Sequence, residues 1–177
     1  MAATRIISIV GRKASGKTTL AVALANELSR RGRRVMTIKH THHAVEADRP
    51  GSDSWRHFHE GRAERVLLVA LDQRILFEHA EGEHDPVALA REHLGGADIV
   101  LAEGFKSAPL PKIEVFRPAA APELLYQPDA PDAGLWAAIV TDDYGFEAGC
   151  PVIRFQDTMW LQLLATLAWE RAIAVPA

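Results

Sequence analysis

Two glycines bracketing four residues and followed by Lys-Thr constrain this chain more than any other feature of its 177 residues: Gly11-Arg12-Lys13-Ala14-Ser15-Gly16-Lys17-Thr18. The pattern is the phosphate-loop signature, which carries meaning only where a strand precedes it and a helix follows. Both are legible. Ile6-Ile7-Ser8-Ile9-Val10 is a nearly continuous β-branched apolar run, as expected of a parallel strand buried on both faces. From about Gly16 to Arg30, Leu20, Leu24 and Leu28 recur every four positions with Ala21 and Ala25 beside them, which predicts an amphipathic helix. A turn of this kind converges backbone N–H groups and the positive end of the helix dipole on an anion, with glycine where a side chain or its φ limits would obstruct. On that reading Gly11, Arg12, Lys13, Ala14, Ser15, Gly16, Lys17, Thr18 and Thr19 line a phosphate. Lys17 reaches the β- and γ-phosphates and the Thr18 hydroxyl ligates Mg²⁺. The competing structural account is a Gly-rich strand-to-helix turn that binds nothing.

Gly32 is a natural helix stop, and Val35 to Ile38 reads as a second strand, completing a strand, helix, strand unit. Between His40 and Gly61 the periodicity fails, as in a long loop followed by a short helix. Val66 to Leu71 and Ile75 to Phe77, joined through Asp72-Gln73, predict a hairpin and an antiparallel edge. A helix from about Pro86 to Leu94 and a buried strand from Asp98 to Ala102 come next. Lys112 to Phe116 and Ala137 to Val140 are further strands, and Thr158 to Ile173 is a closing helix with Trp160, Leu161, Leu164, Leu167 and Ala168 on one face. Six of the ten prolines fall between Pro109 and Pro131, so the segment near 107–134 is expected to be surface loop or a flexible insertion within one nucleotide-binding domain spanning 1–177. The fold class is α/β: a mostly parallel twisted sheet flanked by helices, of the P-loop NTPase type, with an antiparallel hairpin.

A nucleotide-hydrolysing site needs a carboxylate near the magnesium shell, usually at the end of a buried strand beside the loop. Glu103, preceded by Ile99-Val100-Leu101-Ala102, fits that place, as metal partner and catalytic group. His40, His42 and His43 are followed by Asp48, Asp53 and Ser54. This cluster has no thiolates and does not match zinc spacing. As a switch-like loop, Asp48 or Asp53 could ligate magnesium through water or orient an attacking water; a solvated polar loop is the plain alternative. Thr141-Asp142-Asp143 ends another strand, where Asp142 could accept the N1–H and amine donors of guanine, which adenine lacks. An Asp-Asp-Tyr-Gly turn explains the same residues.

Lys and Arg number 20 against 23 Asp and Glu, so the basic excess of a dedicated nucleic-acid binder is missing, and Arg30, Arg31, Arg33 and Arg34 read as a helix terminus and solvated turn. Cys150 is the single cysteine, which excludes an intramolecular disulfide and any thiolate-rich metal site. No apolar run reaches the roughly 18 residues that span a bilayer, and Ile6 to Val10 is too short for a signal segment. A soluble cytoplasmic protein without membrane or nucleic-acid partners is expected.

The phosphate loop, Ile38-Lys39-His40 with His42-His43 and the Asp48 to Ser54 segment, and Glu103-Gly104-Phe105-Lys106 followed by Pro111-Lys112-Ile113-Glu114-Val115 run in order across about 110 residues. In that combination the chain resembles the molybdopterin-guanine dinucleotide biosynthesis adapter protein B family. The resemblance implies GTP and Mg²⁺ as ligands, slow hydrolysis at most, a homodimer, and partnership with the nucleotidyltransferase that joins GMP to molybdopterin. The related dimerising P-loop proteins often carry Lys directly after the first loop glycine, acting across the dimer. Here Arg12 stands there and Lys13 follows, and the Asn-Lys-x-Asp guanine motif is missing. A P-loop small-molecule kinase using ATP, with a carboxylate such as Asp48 as base, is the alternative reading. A third keeps the loop as an anion cradle for a phosphorylated pterin or a partner.

Overall fold

The computed structural model describes residues 3–41, 43, 45–80, 82 and 84–176; His42 lies outside them. In chain order its elements are β1 (Arg5–Val10), α1 (Lys17–Arg30), β2 (Val35–Lys39), α2 (Asp53–His59), β3 (Arg65–Val69), β4 (Arg74–Glu78), α3 (Pro86–His93), β5 (Ile99–Glu103), β6 (Lys112–Phe116), β7 (Trp136–Thr141), β8 (Val152–Arg154), α4 (Trp160–Arg171) and β9 (Ile173–Ala174), with a 3₁₀ turn at Ala133–Leu135. They divide into two units, one made of residues 1–40 and 84–177 and the other of residues 41–83.

In the larger unit the strands lie in the order β2-β5-β1-β6-β7-β8. Every neighbouring pair along that path is parallel, and β9 adds an antiparallel pairing to the start of β1. Parallel strands need both faces covered, and the two-residue side-chain period sorts the apolar residues accordingly. Ile7 and Ile9 of β1 pack with Leu20, Leu24 and Leu28 of α1 and with Leu164, Ala165 and Ala168 of α4. Ile6 packs on the opposite face with Val100, Ala102 and Ala90 of α3. The leucine stripe of α1 is thus buried as its spacing predicts, and a single fully buried leucine such as Leu24 contributes about 1.5–3 kcal/mol.

Polar residues inside this sheet are satisfied in ways that shape its functional edge. Ser8 is fully buried, and its hydroxyl donates to the carbonyls of Ala102 at 3.2 Å and Gly104 at 2.7 Å, pinning the end of β5 to β1. Glu114 of β6 accepts the backbone N–H groups of Leu125 at 2.7 Å and Tyr126 at 3.0 Å. Within the segment read as surface loop or insertion, Lys112–Phe116 is the buried strand β6; residues 117–132 that follow are irregular, and this carboxylate fastens them to the sheet. Burial pushes the Glu114 carboxyl above its ordinary range, and those two N–H groups and the Arg12 charge oppose the push.

The smaller unit holds α2 and the hairpin. β3 and β4 pair antiparallel from Arg65↔Glu78 to Val69↔Arg74 and form a two-stranded sheet of their own. Ser52 caps α2 by accepting the Trp55 N–H, and Phe58 packs near Phe77 and stacks on His79. Leu67, Val69 and Leu71 are exposed. Among the described residues no helix is long and apolar enough to cross a membrane.

Candidate functional site

Parallel pairing brings the carboxyl ends of β1, β2 and β5 to one edge of the sheet, where the chain leaves β1 through the Gly11–Thr18 loop. The register sets which residues stand level: Ile9 pairs with Glu103, and Lys39 pairs with Glu103 from the other side. The loop then turns sharply. Gly11 has φ 149° and Gly16 φ 97°, as the sequence pattern requires. A Cβ on Gly11 would stand 2.6 Å from the Val115 carbonyl oxygen and 2.7 Å from Ser15 Oγ. Ala14, with φ 62°, is a positive-φ position that the sequence did not announce.

The start of α1 is open. Its N-cap, Gly16, supplies no side-chain hydrogen bond, the first turn holds no acidic residue, and the first helical bond is the Leu20 N–H to the Gly16 carbonyl. The N–H groups of Lys17, Thr18 and Thr19 therefore lack intrahelical acceptors. Ser15 Oγ is buried with no hydrogen-bond partner. A buried hydroxyl and a row of unbonded N–H groups at a positive helix end suit an anionic oxygen. Lys17 Nζ donates to the Arg12 carbonyl at 2.7 Å, folding back over the loop. Burial lowers the Lys17 pKa from its ordinary 10.5; the Glu103 carboxylate opposes that shift and the Lys39 charge adds to it.

Thr18 and Glu103, assigned to magnesium from the sequence, meet directly: Thr18 Oγ1 donates to Glu103 Oε1 at 2.8 Å. Two oxygens on an octahedral magnesium with bonds of about 2.0–2.1 Å lie about 2.9 Å apart when adjacent, so the donor set and its spacing fit such an ion. Lys39 joins them, with Nζ 3.2 Å from Thr18 Oγ1 and 3.3 Å from Glu103 Oε1. Sequence reasoning did not single it out as a site residue. The signal was there, since Lys39 closes a strand whose carboxyl end lies on the same edge.

Arg12 Nη2 pairs with Glu123 Oε2 at 3.0 Å within its own chain, and Lys13 is exposed. Asp142 Oδ2 accepts from Arg117 Nε at 2.7 Å, while Asp143 accepts the Gly145 N–H and so makes the turn that its sequence also suggested. His40 donates its backbone N–H to the Glu103 carbonyl, and its ring packs 4.9 Å from that of Phe105. Among the described residues no three His, Cys, Asp or Glu side chains converge as a metal site.

Asp48 and Asp53 belong to the smaller unit. The Asp48 carboxylate is held below its usual range by the Ser54 hydroxyl first, against desolvation, and then by the Ser52 hydroxyl and the Arg49 N–H. It organises the approach to α2, since Ser52 both donates to Asp48 and caps that helix. Asp53 opens α2 and lines an open cavity of about 380 Å³ with Arg56, His57 and Glu60.

Residues 6–142 match the family described as molybdopterin guanine dinucleotide synthesis protein B. The chain is similar to the molybdopterin-guanine dinucleotide biosynthesis adapter protein of Haemophilus influenzae, 38% identical over 118 residues that cover 63% of each chain. It is 34% identical to that of Escherichia coli over 117 residues, 65% of this chain and 67% of the other. The chain thus spans about two thirds of the length of these relatives. Among solved structures, a molybdopterin-guanine biosynthesis protein B superposes with a TM-score of 0.66 at 23% identity, covering 93% of this chain and 98% of the other. Bacillus subtilis MobB superposes with a TM-score of 0.65 at 22% identity, covering 92% and 97%. These likenesses show the fold.

Proposed function

Because the chain belongs to the molybdopterin guanine dinucleotide synthesis protein B family, we propose that it acts as a GTP-binding adapter in molybdopterin guanine dinucleotide biosynthesis, working with the nucleotidyltransferase of that pathway. The observation that carries the reading is the open N-terminus of α1 beside the Thr18–Glu103 pair. Backbone N–H groups, the Lys17 ammonium and a magnesium-spaced oxygen pair lie around one loop. Lys17 neutralises the β- and γ-phosphates. Thr18 and Glu103 hold Mg²⁺, which when bound offsets phosphate charge.

Hydrolysis in this reading is slow. Glu103 is engaged by Thr18 and Lys39, which suits holding a cation better than taking a proton from water. Asp48, whose Oδ1 accepts from the Ser52 hydroxyl and the Arg49 N–H, suits loop architecture better than base catalysis. The guanine preference is assigned to Asp142.

The proposed homodimer draws support from the smaller unit. A two-stranded sheet alone is marginal in water, and this hairpin exposes Leu67 at 58%, Val69 at 63% and Leu76 at 44% of their surface. A second copy would cover those side chains and could extend the two-stranded sheet.

Calorimetric titration with Mg·GTPγS and Mg·ATPγS in parallel tests the proposal, with Lys17→Ala as the probe of the loop. The guanine analogue should bind more tightly. Losing the charge-assisted contact costs about 1.5–3 kcal/mol, so Lys17→Ala should weaken binding by about tenfold or more. An unchanged affinity in Lys17→Ala would remove the loop from the binding site, and a preference for ATPγS would count against the guanine assignment.

A further inference from the structure

Three polar atoms meet in a triangle at the carboxyl ends of β2 and β5 and the start of α1. Thr18 Oγ1 and Glu103 Oε1 lie 2.8 Å apart, and Lys39 Nζ stands 3.2 Å from the first and 3.3 Å from the second. The arrangement is built into the sheet, because Lys39 and Glu103 are register partners in the parallel β2–β5 ladder. The Glu103 side chain is only 12% exposed, whereas that of Lys39 is 60% exposed. The carboxylate is therefore the fixed member and the lysine the movable one, on a flexible four-carbon stem.

The two oxygens that Lys39 touches are the pair whose spacing fits magnesium. An ammonium within 3.3 Å of both and a divalent ion at about 2.1 Å from both would be close like charges, which repel strongly where water is partly excluded. Only one cation can hold the pair. Lys17, on the same loop, also feels the Lys39 charge, so the edge carries two ammonium groups beside one carboxylate before any metal enters.

We propose that Lys39 is a displaceable resident cation: its ammonium and the divalent metal compete for the Thr18–Glu103 pair, so that metal loading requires Lys39 to swing away. The inference rests on the proposed nucleotide site for its biological meaning, but the competition itself is a property of these three side chains. Lys39 thereby sets the metal concentration at which the site loads. It is a positioning residue, keeping Thr18 and Glu103 together and neutralised until the metal takes its place.

The test is a Mn²⁺ titration of the full chain followed by electron paramagnetic resonance of the free ion, in wild type, Lys39→Met and Lys39→Ala, first without nucleotide and then with saturating GTPγS. Lys39→Met keeps most of the aliphatic stem and removes the charge, and thermal melting verifies that both variants remain folded. Removing the competitor should tighten Mn²⁺ binding to the protein alone by about tenfold, in both variants alike. An unchanged or weaker Mn²⁺ affinity in the nucleotide-free titration overturns the proposal, because it makes Lys39 a bystander or a helper of the metal. If both variants bind Mn²⁺ more tightly while GTPγS alters neither titration, the Lys39 inference stands and the nucleotide reading is what fails.

Discussion

Replacing Gly11 with alanine separates what the loop needs sterically from what it needs in backbone freedom. The added Cβ would stand 2.6 Å from the Val115 carbonyl oxygen and 2.7 Å from Ser15 Oγ, against an ordinary contact of 3.4–4 Å. Ser15 can rotate its hydroxyl away. Val115 cannot yield as cheaply, since its oxygen belongs to β6, which pairs with β1 through Ile9↔Ile113 and Val10↔Glu114. Opening that contact by more than half an ångström is an overpacking strain of about 1–3 kcal/mol, with the positive φ of 149° adding to it. Gly16 is the control: its φ of 97° is also positive, but an added Cβ there meets nothing within 4 Å. For a chain of this size about 1 kcal/mol shifts Tm by roughly 2–4 °C. Gly11→Ala should therefore melt several degrees below wild type, and below Gly16→Ala. Calorimetric melting of the three proteins decides it. A Gly11→Ala protein as stable as Gly16→Ala would show that the close approach to Val115 carries no energetic weight, and the packing argument for this glycine would fall.

Other consequences are open to equally direct measurement. Burial raises the Glu114 carboxyl in the folded protein, so the folded state binds more protons than the unfolded one, and unfolding free energy should fall as pH rises from about 4.5 through the raised value. Urea melts across pH 4 to 8 should show this slope in wild type and not in Glu114→Gln; the opposite slope would contradict the burial argument. Glu114→Ala leaves the Leu125 and Tyr126 N–H groups without their acceptor, at about 2–5 kcal/mol in total, and proteolysis should begin within 117–131. Ser8→Ala removes the clamp on the Ala102 and Gly104 carbonyls, costing about 1–3 kcal/mol. Its effect on GTPγS affinity should be larger in the presence of Mg²⁺ than in its absence. Asp142→Ala should bring the ratio of GTPγS to ATPγS affinities toward one, while changing stability by no more than about 1 kcal/mol, because its partner Arg117 is half exposed.

The elements that a local pattern specifies were legible. Lys112–Phe116 is the strand expected, α1 ends at Arg30 as its leucine stripe implies, and the carboxyl end of β5 delivers Glu103 to the loop. What escaped depends on partners distant in sequence. β8 has only three residues and β9 two, too short for a period-two signal, and each exists because a neighbouring strand offers a ladder. Arg30 and Arg31 read as a helix terminus leading into a solvated turn. They instead bracket a buried Glu27 at 2.6 and 2.9 Å, and Arg31 reaches on to the Gln162 carbonyl of α4. Buried Glu114 looks like any acidic residue in a strand until the loop that returns over it is in place. Lys39 was missed for the same reason: its significance comes from lying level with Glu103, 64 positions further along the chain, which periodicity within β2 cannot reveal.

The charge pattern around the loop shows why pairing within the chain does not exclude a ligand. Arg12 and Asp142, both expected to touch nucleotide, already hold Glu123 and Arg117. These pairs are partly exposed, and such pairs contribute about 0–1 kcal/mol, far less than a charged hydrogen bond to a phosphate in a site that excludes water. A nucleotide could therefore release either residue at small cost. The Thr18–Glu103–Lys39 triangle differs, because Glu103 is mostly buried and its carboxylate cannot be left without a cation cheaply. At that point the exchange must be one cation for another. The outer pairs would accordingly adjust to a ligand, whereas the triangle would respond to the metal, and the two responses are separable by titrating each in the absence of the other.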